Sequence, residues 1–336
     1  MKTVLVEEAV GTVLAHDLTQ IIPGKFKGSR FKKGHVIVPE DIPILLSMGK
    51  KHLYVIDPGA DDVHEEEAAR RIAAAAAGDN ITLVEKGEGK VELHAAADGL
   101  LKIDTDALES LIDDDAVMFA TIHQNVVVRQ GELLAGTRVI PLFVKESVVA
   151  RAESIGAFIR VVPLRNMRVG LVTTGSEIYH GLIQDKFGGV LRRKFADYGS
   201  TVIEQLFADD DDRMIADCVL QLKQAGAELI AVTGGMSVDP DDRTPAGIRC
   251  AGVKIETYGA PVLPGAMFLL GYLDEVPVVG LPGCVMYHGT SVFDLVVPRL
   301  LAGEHVTRRD IKKMGHGGLC RNCATCTYPN CGFGKG

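Results

Sequence analysis

Tryptophan is absent from this 336-residue chain, and aromatic side chains make up only 5% of it. Proteins that read nucleic acid by stacking bases on aromatic platforms are not built this way. A net charge of −8 argues equally against a binder of phosphate backbones. No run of about 18 apolar residues occurs, so no membrane span is expected. Glu7 and Glu8 interrupt the apolar stretch that a signal peptide would need. The dinucleotide fingerprint G-x-G-x-x-G is missing, which leaves a nicotinamide dehydrogenase without support. Disulfide scaffolding is also missing: Cys218, Cys250 and Cys284 stand singly through the body of the chain. Scattered single cysteines suit a reducing compartment, and the expected location is cytoplasmic.

Hydrophobic residues at 47% and charged residues at 24% are ordinary for a globular protein with a full core, and the length suits two or three domains. Residues 1–164 read as a β-rich region. Short β-like runs at 35–38 and 52–56 lie among glycines and prolines, and an alanine-rich helix over 65–77 is stopped by Gly78. Further β runs at 125–129 and 137–144 flank a turn at Gly131. No catalytic constellation stands out here, so a scaffold or dimerisation role is expected. From about Asn166 the pattern changes to strands alternating with helices. RVGLVT at 168–173 is an apolar strand; Phe187, Val190, Leu191, Phe195 and Tyr198 recur at helical spacing until Gly199. Strands at 201–207, 228–232 and 276–280 follow, with a helix after the acidic run 209–212 and a long helix through Leu301 bending near Pro298. Such alternation predicts an α/β fold with three layers and a mostly parallel sheet over residues 165–303.

Three of those strands run into glycine turns: Thr173-Thr174-Gly175, Thr233-Gly234-Gly235 and Gly280-Leu281-Pro282-Gly283. Strands of a parallel sheet end on one edge, where such folds bind ligands. Glycine lets backbone approach a ligand closely, and exposed N–H groups favour phosphate. Acids stand beside these turns: Glu177 after the first, Asp185 before a helix containing Gly188 and Gly189, and Asp239, Asp241 and Asp242 after the second. Such hard oxygen ligands suit Mg²⁺, which binds one or two carboxylates together with substrate phosphates. The run 209–212 reads as helix caps, and Thr244-Pro245 as an N-cap followed by proline at the first helical position.

The run VGLVTTGSEIYHGLIQDKFGGVLRRKFADYG, followed by ELIAVTGGMSVDPDDRTP, GAPVLPGAMFLLGYL and GLPGCVMYHGTSVFDLVVPRLLAG, resembles the molybdopterin-binding domain. That domain is shared by molybdopterin adenylyltransferases and molybdotransferases, the MogA and MoeA types fused in gephyrin. The resemblance implies a protein of molybdenum cofactor biosynthesis, in a homo-oligomer, with molybdopterin as ligand. By position, Thr174, Gly175 and Glu177 match its first loop and Asp185 the acid beyond. Thr233, Gly234, Gly235, Ser237 and Asp242 match the second loop, and Leu281, Pro282 and Gly283 the third. Asp242, Asp185 and Glu177 would then be catalytic, holding Mg²⁺ for adenylyl transfer from ATP or for molybdate or tungstate insertion. Asp242-Arg243-Thr244-Pro245 follows the adenylylating pattern, while Ser237-Val238 begins the metal-inserting one and then departs at Asp239. The start LVEEAVGTVLAHDLTQ resembles that of the metal-inserting enzymes. Their Met-Asp-Gly-Tyr-Ala signature is not found, Cys284-Val285 stands where Asn-Pro is frequent, and a cysteine tail replaces the C-terminal β domain. The alternative is a non-catalytic molybdopterin carrier or a maturation partner of a molybdoenzyme or tungstoenzyme.

The tail, residues 304–336, places Cys320, Cys323, Cys326 and Cys331 in the spacing C-x₂-C-x₂-C-x₄-C. Four thiolates this close together can enclose one metal site unaided, either an iron–sulfur cluster or zinc. The opening C-x₂-C-x₂-C resembles a bacterial ferredoxin motif, although the x₄ gap and the missing proline after Cys331 depart from it.

Overall fold

Strands buried on both faces need helices on both faces, and the computed structural model of the chain supplies them beyond residue 166. Residues 2–22, 26–55, 61–237 and 239–335 are described. They divide into one unit of residues 1–97, 102–122 and 130–161, and a second of 98–101, 123–129 and 162–336.

The first unit is rich in short antiparallel pairings, as composition suggested. Its largest sheet has four strands, Ile81–Gly87, Lys90–Ala95, Leu133–Val139 and Val117–Thr121, in that order. The alanine-rich helix runs over Glu65–Ala76, and its Arg71 bridges Glu146 and Glu153 on the helix Glu146–Ile155. A separate apolar cluster gathers Val6, Leu14, Leu18, Phe31, Ile37, Leu45 and Leu53. The β-like run at 35–38 yields only an isolated bridge at Val36, while 52–56 gives the strand His52–Val55, residue 56 lying outside the described residues.

In the second unit we label the strands of the α/β sheet β1 (Arg168–Thr174), β2 (Thr201–Ala208), β3 (Leu229–Thr233), β4 (Lys254–Tyr258), β5 (Leu269–Leu273) and β6 (Val276–Leu281). Their order is β2-β1-β3-β6-β5-β4. The pairs β1–β2, β1–β3 and β3–β6 are parallel. The pairs β5–β6 and β4–β5 are antiparallel. β5 and β6 are joined by Asp274-Glu275, and Asp274 takes the left-handed φ of 55° that a two-residue hairpin turn requires. Alternate residues fill two cores. Leu171, Ala231 and Val279 face Phe195 and Phe293; Val172, Val232 and Val278 face Ile215, Val219 and Ile248. The sheet is therefore the middle of three layers.

The helices are α1 (Ser176–Tyr179), α2 (Phe187–Asp197), α3 (Asp212–Gln224), α4 (Thr244–Cys250), α5 (Cys284–Tyr287), α6 (Val292–Leu301) and α7 (Arg308–Lys313). α2 buries Leu191 and Phe195, and α3 buries Ile215, Val219 and Leu222. The single long helix expected before Leu301 is two. The Ser291 hydroxyl accepts from Phe293 N–H, and the Asp294 carboxylate accepts from Ser291 N–H, so a new helix is capped there. All ten residues of α6 are buried. The cysteine tail also joins the second unit: Ile311 and Phe333 lie in the same apolar core as Phe293. No described helix is long and apolar enough to cross a membrane.

Candidate functional site

Register decides what stands together at the carboxyl edge of the sheet. Thr173 on β1 pairs with Thr233 on β3, which pairs with Leu281 on β6, so all three glycine turns leave from adjacent, level strand ends. Buried hydroxyls tie them. Thr233 Oγ1 donates to Leu281 O at 3.1 Å, Thr174 Oγ1 reaches Thr233 O at 3.3 Å, and Thr174 and Thr244 hydroxyls meet at 2.8 Å. Gly175, Gly234 and Gly235 take φ values of 127°, 95° and 47°, a region closed to most side chains. At Gly234 space is also wanting: a Cβ would fall 2.2 Å from the Thr174 carbonyl oxygen.

Asp185 stands before α2 as a cap. Its carboxylate accepts from Phe187 N–H at 2.8 Å, from Gly188 N–H at 3.1 Å, and from Gln205 Nε2 at 2.7 Å. Gln205 also donates to Thr173 Oγ1 at 3.0 Å, which binds the acid to the end of β1. The contact depends on Gly188, where a Cβ would fall 2.3 Å from Gln205 Oε1. Gly283 approaches the same helix start, its Cβ position lying 3.9 Å from Phe187 Cζ. Nothing in the residue pattern marked Gln205, because an amide in an edge strand carries no motif.

The acidic run 209–212 predicts caps, yet only Asp211 in it caps α3, accepting from Arg213 and Met214 N–H. Asp210 instead accepts from Ser176 N–H at 2.9 Å, and Asp209 from the Ser176 hydroxyl and, at 3.2 Å, His180 Nε2. The hydrogen bond from Ser176 is the main reason that the Asp209 carboxyl is held below its usual range. These two acids therefore brace the first loop from the neighbouring strand end. Asp212 pairs with Arg243 at 2.5 Å.

The other acids are held apart. Glu177 is exposed on α1. Asp242 accepts from Asp239 N–H at 3.2 Å in a turn of its own. Ser237 is exposed, its carbonyl and that of Met236 both accepting from the Tyr258 hydroxyl. Burial, with the Asp242 charge adding to it, pushes the Tyr258 phenol up. Among the described residues no three His, Cys, Asp or Glu side chains are grouped to hold a metal ion, so Glu177, Asp185 and Asp242 do not form a ready magnesium cradle.

A family model described as a probable molybdopterin binding domain matches residues 170–302. That segment is a domain of the molybdopterin-binding family. A second model, described as a domain of unknown function, matches residues 3–57. Comparison with curated proteins gave no match. Among solved structures, the chain is similar to a molybdopterin biosynthesis enzyme MoaB from Thermus thermophilus, at 23% identity over 41% of this chain and 98% of that one, with a TM-score of 0.34. A tungsten cofactor synthesizing protein MoaB from Pyrococcus furiosus matches at 17% identity, 43% and 98% coverage, and a TM-score of 0.34. A molybdopterin biosynthesis MoeA protein from Pyrococcus horikoshii matches at 15% identity, 90% of this chain and 74% of that one, again at 0.34.

The four tail cysteines border one cavity of about 460 Å³, to which residues 287–290 also contribute. Cys320 and Cys331 are partly buried, and Cys323 and Cys326 exposed. Thr290 Oγ1 lies 3.2 Å from Cys326 Sγ.

Proposed function

We propose that the molybdopterin-binding domain holds the phosphorylated pterin itself, over the edge formed by Gly175, Gly234-Gly235 and Leu281-Pro282-Gly283, as part of molybdenum cofactor assembly. The observation that carries this reading is the level register of Thr173, Thr233 and Leu281, which delivers three glycine-bearing turns to one place. Backbone there can come within hydrogen-bond reach of a phosphate without a side chain intervening.

Two further steps are open to such a site. One is transfer of an adenylyl group from ATP, with Mg²⁺ arriving on the nucleotide phosphates and Asp242 or Glu177 completing its oxygen ligands. The other is insertion of molybdate or tungstate into the bound pterin. A carrier role is the second reading, and the state of Asp185 favours it. Its two oxygens already accept from two backbone amides and Gln205, which leaves little of the carboxylate's capacity for a cation.

The test is to purify the chain without oxygen and to measure pterin by fluorescence after oxidative release, from wild type and from Gly234→Ala. Wild type is expected to retain or take up molybdopterin and the variant to lose it at least tenfold. Failure of the wild type to bind pterin at all refutes the reading. Mg²⁺-dependent release of pyrophosphate or AMP then separates enzyme from carrier, and Asp242→Ala should abolish it if the chain is an enzyme.

A further inference from the structure

The first unit holds a cleft of its own, of about 450 Å³, bordered by His16, Asp17, Tyr54, Glu65, Glu88, Arg138 and residues 140–142. Its walls come from the segment 3–57, from the start of the helix Glu65–Ala76, and from the turn between the strands Ile81–Gly87 and Lys90–Ala95. Glu65 is fixed there from two sides. Its N–H donates to Leu142 O at 2.8 Å. Its side chain folds over Gly89, where a Cβ would fall 2.9 Å from Glu65 Cγ, so that turn needs a residue without one.

What distinguishes this cleft is acceptors without donors. Glu65 is only 8% exposed, yet among the described residues its carboxylate accepts no hydrogen bond. Its ion-pair partner, Arg138 Nη2, stands 3.6 Å away, beyond hydrogen-bond reach. Burial pushes the Glu65 carboxyl up against the pull of His64 and Arg138, so its charge is incompletely offset. His16 carries a second unspent group, for its Nδ1 is buried with no hydrogen-bond partner. Burial, with the Lys50 charge adding to it, holds the His16 pKa below its usual range. The ring is therefore neutral at about pH 7, with one nitrogen a lone-pair acceptor. Buried polar groups are nearly always hydrogen-bonded, and two such acceptors on one cleft point to a ligand that donates.

Charge narrows the class. Asp17 and Glu88 join Glu65, and three carboxylates against the one guanidinium of Arg138 disfavour an anion. Asp17 Oδ1 accepts from Lys33 N–H at 2.8 Å and Glu88 Oε1 from the Thr19 hydroxyl at 3.4 Å, with Lys90 Nζ 3.9 Å from the other Glu88 oxygen. No three His, Cys, Asp or Glu side chains among the described residues are grouped to hold a metal ion. Carboxylates set apart in this way are met one at a time, by N–H donors spaced along a chain. The Tyr54 ring with Ile140, Pro141 and Leu142 gives that chain an apolar wall. We propose that the cleft binds a small organic cation, an alkyl ammonium or guanidinium that donates to the Glu65 carboxylate and lies along Tyr54 and residues 140–142. The excess of two negative charges favours a diamine over a monoamine. The inference does not depend on pterin binding.

Calorimetric titration of the full-length chain with 1,4-diaminobutane, butylamine and butylguanidine tests this. The diamine is expected to bind at about a millimolar or tighter, and butylamine more weakly. Tetramethylammonium, a cation without N–H groups, and 1-butanol, a chain without charge, should not bind. Glu65→Gln keeps the shape and should weaken the diamine about tenfold, the loss of one charge-assisted hydrogen bond. Tyr54→Leu should weaken it severalfold, and Glu109→Gln, on an exposed helix face outside the cleft, should leave it unchanged. A diamine-induced shift of the His16 ring nitrogen resonances, absent in Glu65→Gln, assigns the binding to this cleft. Circular dichroism identifies any variant that has failed to fold. The proposal is overturned if none of the amines binds and the cleft holds water only, if tetramethylammonium binds as well as the diamine, or if folded Glu65→Gln keeps full affinity.

Discussion

Replacing Lys194 by methionine would probe the contact at the start of α6 most directly. Lys194 Nζ lies 3.1 and 3.2 Å from the two Asp294 oxygens, 3.2 Å from Gly289 O and 5.3 Å from the Phe293 ring centroid. The side chains are only 14% and 10% exposed. Removing one partner of a buried pair costs about 3–5 kcal/mol, because the other charge stays buried. Asp294 keeps its hydrogen bond from Ser291 N–H at 2.8 Å and can protonate, so the lower end, about 3 kcal/mol near pH 7, is expected. For a folding unit of this size that is a fall in Tm of about 6–12 °C. The pH dependence has a definite sign. Burial pushes the Asp294 carboxyl up, outweighing the pull of Lys194. A raised carboxyl contributes stability that is fully present below its unfolded value, near pH 4, and lost as pH rises through the folded value. Losing Lys194 raises that value further, so the penalty should shrink on acidification. Thermal unfolding of wild type, Lys194→Met, Asp294→Asn and the double variant, at pH 5 and 7.5, measures both effects. The double variant should recover about 2 kcal/mol relative to additivity. Equal losses at both pH values together with strict additivity would refute the reasoning.

Gly234→Ala sets a methyl group 2.2 Å from the Thr174 carbonyl oxygen, in a left-handed conformation that itself costs about 1–2 kcal/mol; it should separate the first two loops and lower Tm in calorimetry. Thr244→Val removes the partner of the Thr174 hydroxyl at 2.8 Å and should cost about 1–3 kcal/mol by denaturant unfolding. Asp185→Ala takes the cap from α2 and should cost about 1 kcal/mol; no loss of helix stability by hydrogen exchange would contradict that role. His94 lies 2.9 Å from Glu92 and 3.0 Å from Gly131 O, and the Gly131 hydrogen bond, with that of Glu92, raises its pKa. The stability it contributes is present below about pH 6.5 and fades as pH rises through the higher folded value, which an NMR titration of His94 against Glu92→Gln would register.

The sheet was legible where one residue pattern had one meaning. Val169, Leu171 and Val172 read as a strand buried on both faces, and Leu191 with Phe195 as a helix stripe, because period and burial coincide there. The glycine turns were legible for the same local reason. No sequence pattern marks residues 254–258 and 269–273 as strands, since an antiparallel hairpin grafted on a parallel sheet leaves no alternating β-α pattern. The roles of Gln205, Asp209 and Asp210 were hidden because they come from long-range register, β2 lying beside β1. The tail's composition suggested a metal motif, but its anchorage on Leu263 and its burial of Phe333 depend on tertiary contacts that spacing does not encode.

The seating of Ile311 and Phe333 beside Phe293 has a practical bearing on proteolysis. Arg308, Arg309, Lys312 and Lys313 would be obvious trypsin targets in an unfolded tail, yet they lie on a helix whose Ile311 is fully buried. Cleavage there would strip apolar cover from the domain, so a fragment ending near Arg308 should come out sticky and prone to precipitate, while this helix in the folded chain resists cutting.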